Sequence, residues 1–302
     1  MTDELVSLAL KHARRQGMNA TAFAPLEISR IERPGPPEFH VGQPVLCFPL
    51  QGRKRLTVGE EKFVYEPGSF FVASVSVPSV GEVTEASSRT PYLCLVLQLD
   101  PGAIYDVVSA LPSRGASPRR DGVFIDKARP ELRDAFHRLL RSLDDGDDVA
   151  VLAPLVVREV VYRLLTSRFA TQVRELGVAG SHTQRIGHAI ERIRTGFRRP
   201  LRIAELAKAS QMSVASFHEH FRRATLMSPL QFQKQLRLHE ARRLLIAGAR
   251  DAASAAYEVG YSSPSQFSRE YARLFGLPPR TEVREFTHSP GHASLRSRSR
   301  RA

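Results

Sequence analysis

Two helix-length segments carry the side chains best suited to reading a polyanion. Residues 214–224 hold His218, Glu219, Arg222 and Arg223, and residues 264–275 hold Ser265, Gln266, Arg269 and Arg273. A guanidinium can fork onto the two acceptors of a guanine edge, a carboxamide pairs with adenine, and a carboxylate accepts from the cytosine amino group. In each segment a pair of rings, Phe217 with Phe221 and Phe267 with Tyr271, recurs at a spacing of four and so shares one helix face. The ring spacing is that of a helix core, not of exposed platforms for stacked single-stranded bases. Arg269 lies off the face that holds Phe267 and Tyr271.

The two segments are copies of one unit. Ser213, Phe217, Phe221, Arg223 and Pro229 recur fifty positions on as Ser263, Phe267, Tyr271, Arg273 and Pro279, and Ile203 and Leu206 recur as the smaller Ala253 and Ala256. Each copy reads as a short helix (202–209; 251–258), a tight turn (210–212; 260–262) and a second helix (214–224; 264–275), the helix-turn-helix arrangement whose second helix enters the major groove. Ser263-Pro264-Ser265-Gln266 has the form of a capping box, with Ser263 as N-cap, proline at the first helical position and glutamine three residues on. Ser228-Pro229-Leu230-Gln231 repeats it and opens a connecting helix over 230–247 that Gly248 ends. Ile186, Ile190, Ile193 and Phe197 mark a further helix, stopped by Pro200. At ~1.5 Å per residue the connecting helix is a rod of about 27 Å, which predicts two reading helices about one duplex turn apart on an asymmetric, directly repeated site.

Charge places these copies in a functional context. The chain has 302 residues, 42% hydrophobic and 25% charged, a globular composition long enough for about two domains. The net charge of +13 is uneven: residues 1–184 hold 22 Lys/Arg and 22 Asp/Glu, while residues 185–302 hold 22 basic side chains against 9 acidic. A basic half joined to a balanced half implies two tasks, with the polyanion partner assigned to the basic one. The run RSRSRR at 296–301 reads as a disordered tail, and without its four charges the excess is still +9. No stretch approaches the ~20 apolar residues of a membrane span, and MTDELVSLALKHARRQG lacks the apolar centre of a signal peptide, so a cytoplasmic protein is expected.

The first half has a different texture. Residues 3–16 read as a helix with Asp3 as N-cap; then, from about His40 to Leu99, short runs such as VLCFPL, RKRLTV, SFFVASVSV and YLCLVLQL alternate with Gly and Pro, the pattern of an antiparallel sandwich or barrel. Helical periodicity returns at 101–110, 130–143 and 149–176, where Val149, Leu152, Val156, Val160, Leu164 and Leu165 form an apolar stripe that fits either the sheet or a second copy of the chain. SRGASPRRDG (113–122) reads as a loop and GVAGSHT (177–183) as a linker.

Catalytic candidates in this half are few. A metal-dependent barrel enzyme needs a cluster of histidines and a carboxylate, and His40 is the only histidine between Ala13 and Phe136. Cys47 and Cys94, the only cysteines, exclude a disulfide scaffold and a four-cysteine zinc site; each sits in an apolar strand and reads first as a small buried hydrophobe, second as a redox or electrophile sensor. In QGRKRL (51–56) three consecutive cations fit either an acidic ligand or a charge-protected hairpin edge.

The segment LRIAELAKASQMSVASFHEHFRRATLMSPLQFQKQLRLHEARRLL, followed by AAYEVGYSSPSQFSREYARLFGLPP, resembles the double helix-turn-helix domain of AraC/XylS-type transcriptional regulators, the GYSSPSQFSREYARLFGLPP block being that family's hallmark. PVLCFPLQGRKRLTVGEEKFVYEPGSFFVASVSVPSVGEVTEA is similar to the cupin-like domain that precedes it in one branch. The resemblance implies a multidomain α+β chain: a cupin-like antiparallel β-barrel with flanking helices (1–176) that senses an effector or dimerises, a linker (177–183), an all-α double helix-turn-helix domain of seven helices (184–287), and a disordered basic tail (288–302). It implies a sequence-specific regulator of transcription rather than an enzyme, with no cofactor and no membrane. Its partners would be double-stranded DNA, a small-molecule effector, a second copy of the chain and, for an activator, RNA polymerase. The competing reading is a cupin-type enzyme that carries a basic DNA-binding helical module.

Carried over by resemblance, the groove-reading positions fall on Ala215, His218 and Glu219 in the first unit and on Ser265, Gln266 and Arg269 in the second. Glu219 departs from the basic residue expected there, which makes the second unit the stronger reader. Gln266 fits either the capping box or a base contact, and His218 either solvent or DNA. Arg222, Arg223, Lys234, Arg237 and Arg273 fit phosphate contacts or plain surface.

Overall fold

A computed structural model describes residues 3–112, 122–248 and 251–288 of the chain. The expected loop over 113–122, apart from Gly122, and the expected tail beyond residue 288 lie outside the described residues. The chain falls into two compact units, Met1–Ala189 with Ala207–Ser228, and Ile190–Leu206 with Pro229–Ala302.

Among the described residues ten antiparallel strands build the first unit: β1 (Gly17–Ala20), β2 (Leu26–Ile31), β3 (Glu38–Val41), β4 (Val45–Gln51), β5 (Arg53–Val58), β6 (Glu61–Tyr65), β7 (Ser69–Ala73), β8 (Pro78–Glu85), β9 (Tyr92–Gln98) and β10 (Val123–Lys127). They form two sheets, six strands in the order β1-β2-β9-β4-β7-β10 and four in the order β3-β8-β5-β6. The two sheets do not close into the expected barrel. Each sheet ends in two free edges, because the chain changes sheet between β6 and β7 without a ladder: Gly68 takes φ +88° and Ser69 Oγ donates to the Glu66 carbonyl at 2.7 Å, turning a corner where a hairpin would have continued the sheet.

Strand alternation divides the six-stranded sheet into two functions. Leu46, Phe48 and Leu50 of β4 and Leu93, Leu95 and Leu97 of β9 are buried on one face, in a core shared with α1 (Glu4–His12), α3 (Pro130–Arg141), α4 (Gly146–Leu165) and α5 (Ala170–Gly177). Phe48 stacks on Phe136 with centroids 4.6 Å apart, and Phe124 stacks on Phe169 at 4.0 Å. The opposite face, bearing Cys47, Tyr92, Cys94 and Val96, lines a cavity between the sheets.

The helix expected over 149–176 is two helices. The Thr166 and Ser167 hydroxyls donate back to the carbonyls of Arg163 and Leu164, a local alternative to continued helix, and α5 restarts at Ala170. The stripe on α4 divides likewise: Val160, Leu164 and Leu165 enter the core, whereas Leu152 is exposed beside Val151 and Leu155. The expected linker is a bonded turn. Ser181 Oγ donates to the Glu175 carbonyl (2.6 Å), and Thr183 Oγ1 to the Glu175 carboxylate (2.7 Å). Gly177 reads as a linker glycine but closes α5, and a Cβ there would stand 2.6 Å from the Tyr105 nitrogen of α2 (Pro101–Ser109).

The described residues between 182 and 288 form the seven expected helices: α6 (His182–Gly196), α7 (Ile203–Ala209), α8 (Val214–Thr225), α9 (Pro229–Ile246), α10 (Ala252–Glu258), α11 (Pro264–Phe275) and α12 (Pro279–His288). The fifty-residue echo extends to the caps. Ser213 and Ser263 accept from the backbone N–H three residues on, at 3.1 and 3.3 Å, and both second helices end in a left-handed residue, Leu226 (φ +60°) and Gly276 (φ +83°). In the second unit Leu238, Ala241, Leu245, Ala255, Val259, Phe267 and Tyr271 share one core. Gly260 (φ +93°) is indispensable there, since a Cβ would fall 2.0 Å from the Arg198 carbonyl oxygen.

Candidate nucleic-acid interface and effector cavity

Helix α11 divides by face. Phe267 and Tyr271 are fully buried, while Ser265, Gln266, Arg269 and Arg273 are exposed. Arg269 and Arg273 make no hydrogen bond or ion pair among the described residues, so two guanidinium forks stand free, four residues apart, on one face. Gln266 does not close the expected capping box. Its Nε2 donates to Glu270 Oε1 at 3.3 Å, and Glu270 also takes the Tyr261 hydroxyl (2.8 Å) and Lys234 Nζ (3.2 Å). Burial opposes ionisation of Glu270, but these three donors hold its carboxyl below the ordinary range. Lys234 is therefore paired.

Arg237, read from sequence as a phosphate contact or plain surface, is bonded to the protein. Its Nε donates to the Phe197 carbonyl (2.7 Å), and Nη2 donates to the carbonyls of Arg198 (3.2 Å) and Arg199 (3.0 Å), which closes the carbonyl end of α6. Gln233 adds bonds to the Phe197 and Arg199 carbonyls at 2.9 and 2.6 Å. Partial burial lowers the Arg237 pKa.

On α8, Ala215, His218, Glu219 and Arg222 are exposed, opposite buried Phe217 and Phe221. Glu219 pairs with Arg223 at 3.0 Å, so the acidic departure from the family pattern neutralises its own neighbour. Arg222 has no partner among the described residues. His218, Glu219 and Arg222 line a recess of about 560 Å³ together with Glu61 of β6, and the Gly122 N–H donates to the Arg223 carbonyl at 2.9 Å.

The first unit holds a second candidate site, the cavity between its sheets, about 320 Å³ in volume. Its lining is mostly apolar or aromatic, with Glu27, Ser29, His40, Gln43, Lys54, Ser79 and Gln98 as polar exceptions. The three consecutive cations separate by strand alternation: Arg53 pairs outward with Glu66 and Glu85, and Arg55 with Glu82, whereas Lys54 turns inward and makes no ion pair among the described residues. The hairpin-edge reading fails, because β5 lies between β8 and β6. The cavity itself was not foreseen from sequence, although the alternation of RKR was a signal for the inward lysine. His40 is at the cavity wall, its Nε2 3.7 Å from Glu38, and burial lowers its pKa. Among the described residues no three His, Cys, Asp or Glu side chains are grouped to hold a metal ion, and no helix is long and apolar enough to cross a membrane.

Two duplicated helix-turn-helix units behind an antiparallel-sheet domain with an internal cavity define an architecture of DNA-binding regulators, and the comparisons agree. Residues 22–172 match the family described as "AraC-type transcriptional regulator N-terminus", and residues 206–285 match "Helix-turn-helix domain". The chain is 27% identical over 235 residues to the HTH-type transcriptional regulator GlxA of Rhizobium meliloti, a match spanning 69% of this chain and 72% of that one. It is 25% identical over 177 residues to the virulence regulon transcriptional activator VirF of Yersinia enterocolitica, covering 57% of this chain and 63% of the relative's length. Its fold is similar to that of unsaturated-fatty-acid-bound wild-type ToxT from Vibrio cholerae strain SCE256, with TM-score 0.50 and 8% identity over 85% of this chain and 94% of that one. The chain belongs to the AraC-type transcriptional regulators, DNA-binding proteins with a helix-turn-helix domain.

Proposed function

We propose that this regulator reads one asymmetric duplex site with α8 and α11, and that α11 supplies most of the discrimination. The observation that carries this reading is the pair of unpartnered guanidiniums, Arg269 and Arg273, on the exposed face of α11. Arg269 with Ser265 and Gln266 faces base edges, Ala215, His218 and Glu219 give the first unit a weaker preference, and Arg222 and Arg273 bind phosphate. Arg223, Lys234 and Arg237 have protein partners, which supports a positioning role for them. Ser263 holds the start of α11. Arg269→Ala is expected to cost about 1–3 kcal/mol on the best site and to relax preference at one base pair, whereas Arg273→Ala weakens all sequences alike and lowers the salt slope by about 1. Binding of both variants across a randomised site library tests this; equal behaviour would refute the division between them.

The regulatory division follows residues 1–176 and 184–287, with the turn at 177–183 between them. The cavity takes a small effector with an apolar body and an anionic end facing Lys54, a chemistry shared with the unsaturated fatty acid in the ToxT structure. A second copy of the chain has Val151, Leu152 and Leu155 of α4 to pair on, and RNA polymerase is the partner of an activator. The protein acts in the cytoplasm, and we assign it no enzymatic activity. Elemental analysis of the purified chain is expected to find no stoichiometric metal, and a chelator to leave DNA binding unchanged; one tightly held metal per chain would favour the enzyme reading.

A further inference from the structure

The chain's only two cysteines share one wall of the inter-sheet cavity. Cys47 lies on β4 and Cys94 on β9, adjacent antiparallel strands, in a register that pairs Cys47 with Val96 and Pro49 with Cys94. The thiols are therefore diagonal neighbours on the same face. Cys47 and Cys94 are 9% and 1% exposed, and the cavity they line is also lined by Met18, which is 54% exposed. Lys54 crosses from the facing sheet into the same space.

We propose that Cys47 and Cys94 are an oxidant-responsive dithiol, a modification site at which a hydroperoxide closes an intrachain disulfide across the cavity wall. Cys94 is the attacking sulfur: its thiolate displaces water from hydrogen peroxide, one proton being taken up, and becomes a sulfenic acid. The Cys47 thiol then attacks that sulfur, the S–S bond forms and a second water leaves. Two thiols lose two electrons and two hydrogens, and one peroxide is reduced to two waters. The bonds around each sulfur support this order. Burial disfavours the Cys94 thiolate, but bonds from Cys47 and Tyr92 and the charge of Lys54 bring its pKa below the ordinary thiol value; Cys47 is pushed up by its Cys94 neighbour and by burial. Diagonal Cα atoms stand about 7–8 Å apart and a disulfide spans up to ~6.8 Å, so closure requires the diagonal to shorten by about 1 Å, a local shift of β4 along β9. The strands can give there, because their register slips between Pro49 and Gln51.

The test uses the reduced full-length chain treated with hydrogen peroxide, then alkylated with N-ethylmaleimide and mapped by mass spectrometry without reductant. The expected result is complete and simultaneous loss of both alkylation sites, with one intrachain Cys47–Cys94 cross-linked peptide two hydrogens lighter than its parts and restored by dithiothreitol. Brief peroxide exposure with dimedone present should label Cys94 and not Cys47, in the natural chain and in Cys47→Ser. Two alkylatable thiols after peroxide, disulfides only between chains, or first labelling of Cys47 would overturn the proposal. The wild-type map decides the matter even where the serine variant folds poorly.

Discussion

Glu282→Ala is expected to destabilise the second unit by about 3 kcal/mol, the lower end of the cost of breaking a buried ion pair, because Arg242 is 29% exposed. Glu282 is 5% exposed. Its Oε1 accepts from Arg242 Nε and Nη2 at 2.9 and 2.6 Å, and its Oε2 accepts from the Tyr271 hydroxyl at 2.5 Å. Truncation leaves a guanidinium without its counter-charge and a buried hydroxyl without an acceptor, in the core that holds α9, α11 and α12 together. Because the chain has no tryptophan, urea unfolding is best followed by far-ultraviolet circular dichroism. A loss below ~1 kcal/mol would show that the cluster is solvated and does not fix α11. DNA affinity should fall with the folded fraction and no further, which separates this effect from that of Arg269→Ala.

Acid should act on the same unit through His239. This side chain is 7% exposed, packed edge-on against Phe275 at 5.0 Å, and burial, reinforced by the charge of Arg242, pushes its pKa down to about 3. The folded state holds the imidazole neutral while the unfolded chain protonates near ~6.5. Below that pH the unfolded state binds the extra proton, so the contribution to stability is fully present above ~6.5 and is lost as the pH falls toward 3, at about 1.4 kcal/mol per pH unit. Between pH 6.5 and 5 the loss is about 2 kcal/mol. His239→Leu removes this titration. Its stability relative to the natural chain should therefore rise by about that amount over the same interval, whatever the substitution costs at pH 7. A stability difference between the two chains that does not change with pH would mean that His239 titrates normally in the folded state.

Much of the helical region was legible because its signals are local. The rings at 217, 221, 267 and 271 record helix period, and Ser213 and Ser263 record capping chemistry that a few neighbouring residues complete. The strands were legible as strands, but whether they close into a barrel depends on pairings between distant segments, and the corner at Gly68–Ser69 decides it. Arg237, Arg269 and Arg273 look alike in sequence; only the carbonyls of residues 197–199, forty positions from Arg237, separate a clamp from two free forks. Gly177 and Lys54 were misread or left open for a similar reason. A glycine at a close helix approach and a glycine in a linker have the same letter, and the phase of a strand must be known before a cation can be placed inside or outside it.

Whether the exposed face of α11 gives this regulator a specific duplex site is decided by selection of the full-length chain on a randomised duplex library, followed by salt titration of the selected site and a scrambled one. Enrichment of one asymmetric sequence is expected, with affinity for both duplexes falling as salt rises at about 0.9 in the log–log slope for each phosphate contacted. The selected site should keep its advantage of at least ~10³ over the scrambled duplex as salt rises. No enrichment, or equal affinity for the two duplexes at every salt concentration, would contradict that specificity.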